Sequence, residues 1–263
     1  MGDSTSSHKS DVSIQRMTST MPQFETPHKR VLAYRYHKPR TGRTFVWLSG
    51  FMSDMEGTKV QMLEAWAVDN QEGFLAFDYS GHGASDGSFS DGSISQWRED
   101  VLDIITGLTD GPLVLVGSSM GGWLALLATE CLSARVQALV LIAPAPDFTS
   151  KLMWPSLAPE VQQQIETEGR AWVPSDYGDP YLITHELIRD GEKWLMLDEP
   201  FAFSGPVRIL QGMMDDDVPW QHALRLVETI TSDDIVITLV KDGDHRLSRD
   251  EDIQRLIDVC RKV

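Results

Sequence analysis

Cysteine is scarce in this chain of 263 residues, and long apolar runs are missing from it. Only Cys131 and Cys260 occur, and both fall in helix-like patterns, so the sequence predicts neither a disulfide framework nor a zinc site. No apolar run approaches the roughly 18 residues that span a bilayer, and the first thirty residues lack the apolar centre of a secretory signal. We therefore expect a soluble cytoplasmic protein with no integral membrane segment.

Basic residues are also few, because 23 Lys and Arg stand against 39 Asp and Glu, a formal net charge of -16. Nucleic acids and anionic lipid surfaces are bound by clustered Lys and Arg, so this balance argues against both as partners. Residues 1–26 are rich in Ser and Thr and are predicted to be a flexible extension. Asp3 and Asp11 interrupt the acid-poor pattern of a mitochondrial transit peptide, which leaves mitochondrial targeting as the alternative localisation.

Short apolar runs alternate with helical patterns along the rest of the chain, which predicts an α/β fold with a mostly parallel sheet flanked by helices. The strand before Thr44 is expected to run antiparallel to the others. The runs typical of strands are residues 31–36, 44–48, 73–78, 113–117, 138–143, 207–211 and 235–240, and the helical patterns cover residues 59–69, 94–108, 122–132, 221–230 and 251–263.

The alternation breaks between Ala143 and Pro206, where Trp, Pro and acidic residues accumulate. We predict a core of residues 27–147 and 206–263, interrupted by a small helical cap of residues 148–205. Helical patches are expected at residues 159–168 and 180–189. An insertion that follows a strand lies at the sheet edge where open α/β folds bind their ligands.

Gly117-Ser118-Ser119-Met120-Gly121 follows the apolar run 113–116 and precedes a helical pattern. This G-x-S-x-G sequence between a strand and a helix is typical of a nucleophile elbow, which exposes a serine above a parallel sheet. A phosphate-binding turn is the alternative, but such a turn normally has Lys after its last glycine, where this chain continues with Gly122 and Trp123. Ser119 is therefore the candidate nucleophile.

A serine nucleophile needs a histidine base and a carboxylate that orients it, and the elbow fold places them in the order Ser, acid, His. His185, His222 and His245 follow Ser119, but only His245 lies in a loop after the last predicted strand. The acid is sought among Asp215, Asp216 and Asp217, which follow the penultimate strand. The run from Gly212 to Pro219 resembles G-x-x-D-x-x-V-P, a frequent form of this strand exit in α/β-hydrolases, and that resemblance implies Asp215, with Asp217 as the main alternative and Asp198 as a distant one.

Two backbone amides are expected to hold the oxyanion, one after the nucleophile and one in the loop after the second predicted strand. These are the amides of Met120 and Phe51, although Phe51 could instead be only a pocket wall. Ser49 occupies the place where many proteins with this elbow carry histidine.

The glycine-rich stretch from Asp78 to Gly87 lacks a GK[ST] ending and the spacing of a dinucleotide fingerprint. We read it as a structural loop, in which His82 is not expected to be catalytic. No cofactor and no metal site is predicted.

Together the elbow, the Asp215 loop and Gly243-Asp244-His245 resemble the α/β-hydrolase superfamily over nearly all of residues 30–263. Further runs, including Asp78-Tyr79-Ser80-Gly81 and Gly121-Gly122-Trp123, are similar to the family of α/β-hydrolase domain-containing protein 10 and its bacterial relatives. That resemblance implies the triad Ser119, Asp215 and His245 and a serine hydrolase that cleaves esters or thioesters, including palmitoyl-protein thioesters and acyl glucuronides. A carbon-carbon bond hydrolase and a non-catalytic ligand receptor remain alternatives.

The substrate is expected to be a small ester or thioester, or an acylated protein, while the oligomeric state stays open. The predicted cap carries ten acidic and four basic residues, a net charge of -6, which disfavours strongly anionic substrates. Glucuronides and coenzyme A thioesters are therefore less attractive than neutral esters or acylated cysteines. An apolar acyl pocket could be lined by Trp154, Trp172, Trp194 and Trp220, with Met153, Leu157 and Met196, unless these residues form the core of the cap itself.

Overall fold

A computed structural model describes residues 21–40, 42–175 and 178–263. Its main sheet has eight strands in the order β1-β2-β4-β3-β5-β6-β9-β10. From β4 to β10 neighbouring strands are parallel, whereas β2 is antiparallel to both β1 and β4. The strands are Gln23–Glu25 (β1), Val31–His37 (β2), Thr44–Leu48 (β3), Gly73–Phe77 (β4), Leu113–Ser118 (β5), Val136–Ile142 (β6), Val207–Gly212 (β9) and Ile235–Val240 (β10).

Helices cover both faces of this sheet. The helices α1 and α8 pack on one face, and α2, α3 and α7 pack on the other. Their bounds are Thr58–Asp69 (α1), Ile94–Leu108 (α2), Met120–Leu132 (α3), Trp220–Thr229 (α7) and Asp250–Cys260 (α8). In the described part of the chain, no helix is long and apolar enough to cross a membrane.

Strand β3 illustrates why the central strands consist of continuous apolar residues. Alternate side chains of a strand point to opposite faces, and here both faces are covered by helices. Phe45 and Trp47 pack with α1 and α8, while Val46 and Leu48 pack on the opposite face. Every residue of β3 is buried as a result. The predicted α/β fold, with a mostly parallel sheet flanked by helices, is confirmed.

The cap follows β6 and consists of helices and a β-hairpin. After a π-helical turn, Thr149–Met153, it contains α4 (Trp154–Ser156), α5 (Pro159–Glu168), β7 (Arg170–Ser175), β8 (Gly178–Thr184) and α6 (His185–Gly191). The two strands pair antiparallel. The predicted patch 159–168 is helical, but residues 180–184 of the predicted patch 180–189 belong to β8. The second predicted patch is therefore wrong in its first half, and the cap contains a β-hairpin beside its helices.

The predicted extension 1–26 is also wrong at its end, because Gln23–Glu25 forms β1 and pairs with β2. Residues 1–20 of that extension lie outside the described residues. Such a short strand has no apolar periodicity of its own; its pairing with β2 and the packing of Phe24 against the main core hold it in place.

Candidate active site

Ser119 lies on a tight turn between β5 and α3. Its backbone has φ 54° and ψ -120°, a conformation that non-glycine residues rarely adopt. The turn requires glycine beside it, because a Cβ on Gly121 would lie 2.0 Å from the carbonyl oxygen of Leu48. The half-buried side chain of Ser119 therefore projects from the carboxyl edge of the sheet, as the elbow sequence predicts.

His245 lies in the loop between β10 and α8 and contacts Ser119 at the carboxyl edge of the sheet. Its Nε2 is 3.1 Å from Ser119 Oγ, and its Nδ1 is 2.9 Å from Asp215 Oδ2. Since an ionised carboxylate only accepts hydrogen bonds, Nδ1 carries the proton and Nε2 is left to accept from the serine hydroxyl. The three residues are thus connected as a nucleophile, a base and an orienting acid.

Asp215 contacts the imidazole through its carboxylate. Its side chain is fully buried, and it accepts four hydrogen bonds. Oδ1 accepts from the amides of Asp217 and Val218 at 3.0 and 2.8 Å, and Oδ2 accepts from Gln211 Nε2 at 3.0 Å and from His245. These donors fix the carboxylate against the ring. Gln211 was not anticipated from the sequence.

The loop after β3 packs directly against the elbow. A Cβ placed on Gly50 would lie 3.4 Å from the Cβ of Ser119, so the next residue, Phe51, adjoins the nucleophile. Met120 begins α3, whose first amides face the same region. Within the described ranges neither the Phe51 nor the Met120 amide donates a hydrogen bond. Both are therefore available as donors to an oxyanion.

Ser49 fastens this loop. Its hydroxyl accepts from Trp47 Nε1 at 3.0 Å and donates to the carbonyl of Asp54 at 3.2 Å, while its own carbonyl accepts from Tyr79 Oη at 3.0 Å. The serine that replaces histidine at this position thus acts on the shape of the loop that presents the Phe51 amide. Of these partners, only Tyr79, 30 positions away, is distant in the chain.

The Phe51 ring belongs to an aromatic cluster that joins the core to the cap. Its centroid lies 5.0 Å from that of Phe89, 6.0 Å from Trp97, 5.6 Å from Phe148 and 5.9 Å from Tyr181. Tyr181 belongs to the cap hairpin, so the wall beside the proposed oxyanion donor is formed partly by the cap. Phe51 therefore offers both its amide and an apolar wall.

His82 lies behind this cluster, where its ring contacts Tyr79, Phe89 and Trp97. Burial lowers the pKa of His82 to about 4, so the ring is neutral at physiological pH. Its Nδ1 lies 3.4 Å from the carbonyl oxygen of Ser80, a partner within the loop that is predicted to be structural.

The other candidate residues have structural partners. His222 Nε2 is 2.7 Å from the carbonyl of Pro146, and burial lowers the pKa of this histidine. His185 begins α6 in the cap. Asp198 forms ion pairs with Lys151 and Arg225, far in the chain from the Asp215 loop.

The four tryptophans predicted to line a pocket occupy different surroundings. Trp194 donates from Nε1 to Ser95 Oγ at 2.8 Å and stacks under Arg98, so it anchors the cap to α2. Trp154 packs against the cap's own core, and Trp172 is 67% exposed. Trp220 is half-buried at the start of α7, just after the Asp215 loop. Their assignment to an acyl pocket stays a prediction, and the same holds for Met153, Leu157 and Met196.

One group of possible metal ligands occurs among the described residues: Asp215, Asp217 and His245, whose ligand atoms lie within 4.8 Å of one another. Both ring nitrogens of His245 are already bound, one to Asp215 and the other to Ser119. A metal would have to displace one of them. This arrangement favours a proton relay over a metal site.

Known proteins resemble this chain over most of its length. A family model described as alpha/beta hydrolase family matches residues 45–259. The mitochondrial palmitoyl-protein thioesterase ABHD10 of Rattus norvegicus is 36% identical over 248 residues, which cover 94% of this chain and 83% of the relative.

Two solved structures extend the comparison. A putative hydrolase from Agrobacterium vitis S4 has a TM-score of 0.89 and 42% identity, covering 92% of this chain and 98% of that one. Alpha/beta hydrolase domain-containing protein 10 from mouse has a TM-score of 0.84 and 34% identity, with coverage of 93% and 98%.

Proposed function

Because the chain belongs to the α/β hydrolase family, it is a hydrolase, and we propose that it cleaves carboxylic esters and thioesters through an acyl-enzyme on Ser119. One observation carries this proposal. The hydroxyl of Ser119, both ring nitrogens of His245 and the carboxylate of Asp215 form one continuous hydrogen-bonded path. That path supplies the base and the orienting acid that a serine hydroxyl requires at neutral pH.

In the acylation step, Ser119 Oγ attacks the carbonyl carbon while its proton passes to His245 Nε2. The negative charge on the carbonyl oxygen is held by the amides of Phe51 and Met120, and the charge on the imidazolium is stabilised by Asp215. Collapse of the tetrahedral intermediate breaks the bond to the leaving alcohol or thiol, which receives the proton from His245.

Deacylation repeats these steps with water. His245 Nε2 takes a proton from a water molecule as its oxygen attacks the acyl carbon, and the same amides hold the second oxyanion. The proton then returns to Ser119 Oγ as the carboxylic acid leaves. The enzyme is restored, and no cofactor takes part in the proposed cycle.

The proposed substrates are neutral acyl esters and acylated cysteines, and the second class is supported by the similarity to the rat palmitoyl-protein thioesterase. The Phe51 cluster provides aromatic surface beside the oxyanion donors. The acidic cap disfavours anionic substrates at long range. For localisation, cytoplasm and mitochondrion both stay predictions; the same relative's name supports mitochondrion.

A series of p-nitrophenyl esters and matched acyl thioesters, from acetyl to palmitoyl, tests the proposal on the wild type and on Ser119→Ala. We expect continuous turnover by the wild type and a loss of at least about 10³-fold in kcat in the variant. Turnover that survives the substitution, or a single burst followed by arrest on every substrate, would contradict it. Faster cleavage of an acyl glucuronide than of a matched neutral ester would contradict the substrate assignment alone.

A further inference from the structure

Lys59 lies outside the triad yet contacts the loop that carries His245. It is the second residue of α1, and its Nζ donates a hydrogen bond to the carbonyl oxygen of Arg246. That carbonyl belongs to the residue directly after the proposed base. The lysine side chain is half-buried and adjoins Ile142, Val240 and Leu247 at the carboxyl edge of the sheet.

The loop around His245 contacts the Asp215 loop and the core on either side of the base. Its Gly243 carbonyl accepts from the amide of Met214 at 2.9 Å, next to the proposed acid. Within the loop, Leu247 has a positive φ of 44° and its amide donates to Asp244 Oδ1 at 2.9 Å. The backbone after His245 therefore follows a strained path, which the buried Leu247 side chain and the bond from Lys59 hold in place.

Lys59 is suited to hold it because of where α1 begins. The helix follows the loop that contains Phe51, the proposed oxyanion donor, by only a few residues. A bond from Lys59 to the Arg246 carbonyl thus ties the segment that binds the oxyanion to the segment that carries the base. Both must keep their separation from Ser119, since a displacement of about 1 Å can cost roughly 10²-fold in rate.

We propose that Lys59 is a positioning residue, which holds the Arg246 carbonyl and through it the His245 ring at its distance from Ser119. This inference rests on the proposed function, because it assigns Lys59 to the same site. Lys59 does not touch the reacting atoms. Ser248 Oγ also donates to the Arg246 carbonyl, at 3.1 Å, but Ser248 belongs to the same loop. The bond from Lys59, in contrast, connects that loop to α1.

The charges around Lys59 make its contribution depend on pH. Asp244 and Arg246 face it from the His245 loop, and Asp252 faces it from α8, where Asp252 is itself paired with Arg249 and Arg255. Burial lowers the pKa of Lys59 to about 8, with the opposing charges of the two aspartates only partly offsetting this. Lys59 therefore loses its positive charge as the pH rises through about 8, and its bond to the Arg246 carbonyl is then no longer charge-assisted.

Removing this lysine should separate activity from stability. Its pKa in the folded protein is below the usual 10.5, so at neutral pH the buried charge costs the folded state free energy. Lys59→Met keeps the aliphatic stem and removes that cost together with the bond to Arg246. We expect a protein at least as stable as the wild type at pH 7 but slower.

The experiment compares wild type, Lys59→Met, Lys59→Arg and the exposed-lysine control Lys262→Met. For each we measure kcat and KM on a p-nitrophenyl ester from pH 6 to 9.5, melting temperature at pH 7 and the rate of labelling by a fluorophosphonate. Lys59→Met should lower kcat at pH 7 by at least about 10-fold, with KM within about 2-fold and an unchanged or higher melting temperature. Lys59→Arg should recover part of kcat and lose the fall in kcat that the wild type shows above about pH 8.

The assignment would be overturned if Lys59→Met kept the wild-type kcat, or if its loss of kcat matched a fall in melting temperature. An equal loss of kcat in Lys262→Met would also overturn it. So would the same alkaline fall in Lys59→Arg as in the wild type. If Lys59→Met does not fold, Lys59→Arg alone still decides through its pH profile. Failure of the wild type to react with ester or fluorophosphonate would instead contradict the proposed function itself.

Discussion

Replacing Asp215 by asparagine should move the proton of the His245 ring from Nδ1 to Nε2, while a side chain of nearly the same shape stays in place. In the wild type, Oδ1 accepts from two backbone amides and Oδ2 faces Gln211 Nε2 and His245 Nδ1. The carbonyl oxygen of the introduced amide should take the Oδ1 position, because its NH₂ group would be repelled by two amide donors. The NH₂ group then faces the histidine.

That NH₂ group donates to His245 Nδ1, so the ring must carry its proton on Nε2. An Nε2 that is protonated cannot take the proton of Ser119, and the negative charge that stabilises the imidazolium is gone. Substitutions of this kind in serine hydrolases cost about 10⁴-fold in kcat, which corresponds to about 5.4 kcal/mol. The opposed donors of Gln211 and the new amide should also lower stability by about 1–3 kcal/mol.

The assay is kcat/KM on a short p-nitrophenyl ester, with melting temperature to confirm a folded protein. Asp217→Asn is the matched control, because Asp217 is exposed and was the competing candidate for the acid. We expect it to stay within about 3-fold of the wild type. A folded Asp215→Asn variant within tenfold of wild-type activity, or a larger loss in Asp217→Asn, would refute the reasoning.

Three further predictions concern the residues that hold the site. In Gly212→Ala the new Cβ would lie 2.3 Å from the carbonyl oxygen of Gly243, so the His245 loop should shift. We expect kcat to fall about 10²-fold and the free energy of unfolding to fall by about 1–3 kcal/mol, and unchanged kinetics and melting temperature would contradict this. Ser49→Ala should lower kcat about 10-fold with little change in KM, since it loosens the loop of the Phe51 amide; a rise in KM alone would point to a pocket effect. Asp190 accepts hydrogen bonds from the amide and hydroxyl of Ser95 at the start of α2, at 2.6 and 2.7 Å, and Asp190→Asn should cost about 2 kcal/mol in thermal unfolding at pH 7. Burial opposes the ionisation of Asp190, but its hydrogen bonds outweigh this effect and lower its pKa. The stabilisation by Asp190 is therefore present above the ordinary carboxyl pKa and is lost as the pH falls through the lowered pKa. An Asp190→Asn variant that is destabilised equally at pH 7 and in acid would contradict this prediction.

The parts of the site that could be predicted are those fixed by local sequence. The elbow is a contiguous pentapeptide with its own strand and helix, and the order of the triad in the chain follows from a parallel sheet whose strand ends share one edge. Asp215 was preferred to Asp217 because the run Gly212 to Pro219 resembles a strand exit frequent in α/β-hydrolases, and Asp215 Oδ2 lies 2.9 Å from His245 Nδ1.

The cap was harder to predict because its structure depends on non-local pairing. Pro180 suggested the start of a helix, whereas residues 178–184 pair with β7 and the helix starts only at His185. Thr184 is the N-cap residue of helix α6, since its side chain accepts a hydrogen bond from the amide of Leu187 at 3.1 Å. The sequence does contain a signal for this helix start, because Thr184 stands three residues before the apolar pair Leu187 and Ile188.

The supporting residues could not be predicted from sequence, for a physical reason. Lys59 acts through a hydrogen bond between a helix and a separate loop that meet above the sheet, whereas the side chains of Ser49 and Gln211 bond nearby residues in turns whose geometry no helix or strand pattern describes. Lys59 and its partner Arg246 are 187 positions apart in the chain. Propensity and periodicity describe neighbours within an element, so they carry no information about such contacts.

The central claim is that Ser119 is the nucleophile and that His245 activates it. Intact mass and peptide mapping after treatment with a fluorophosphonate test both parts directly. We predict one adduct per chain, located on Ser119, which forms much more slowly in His245→Ala and not at all in Ser119→Ala. An adduct on another residue, or none in folded wild-type protein, would contradict the account.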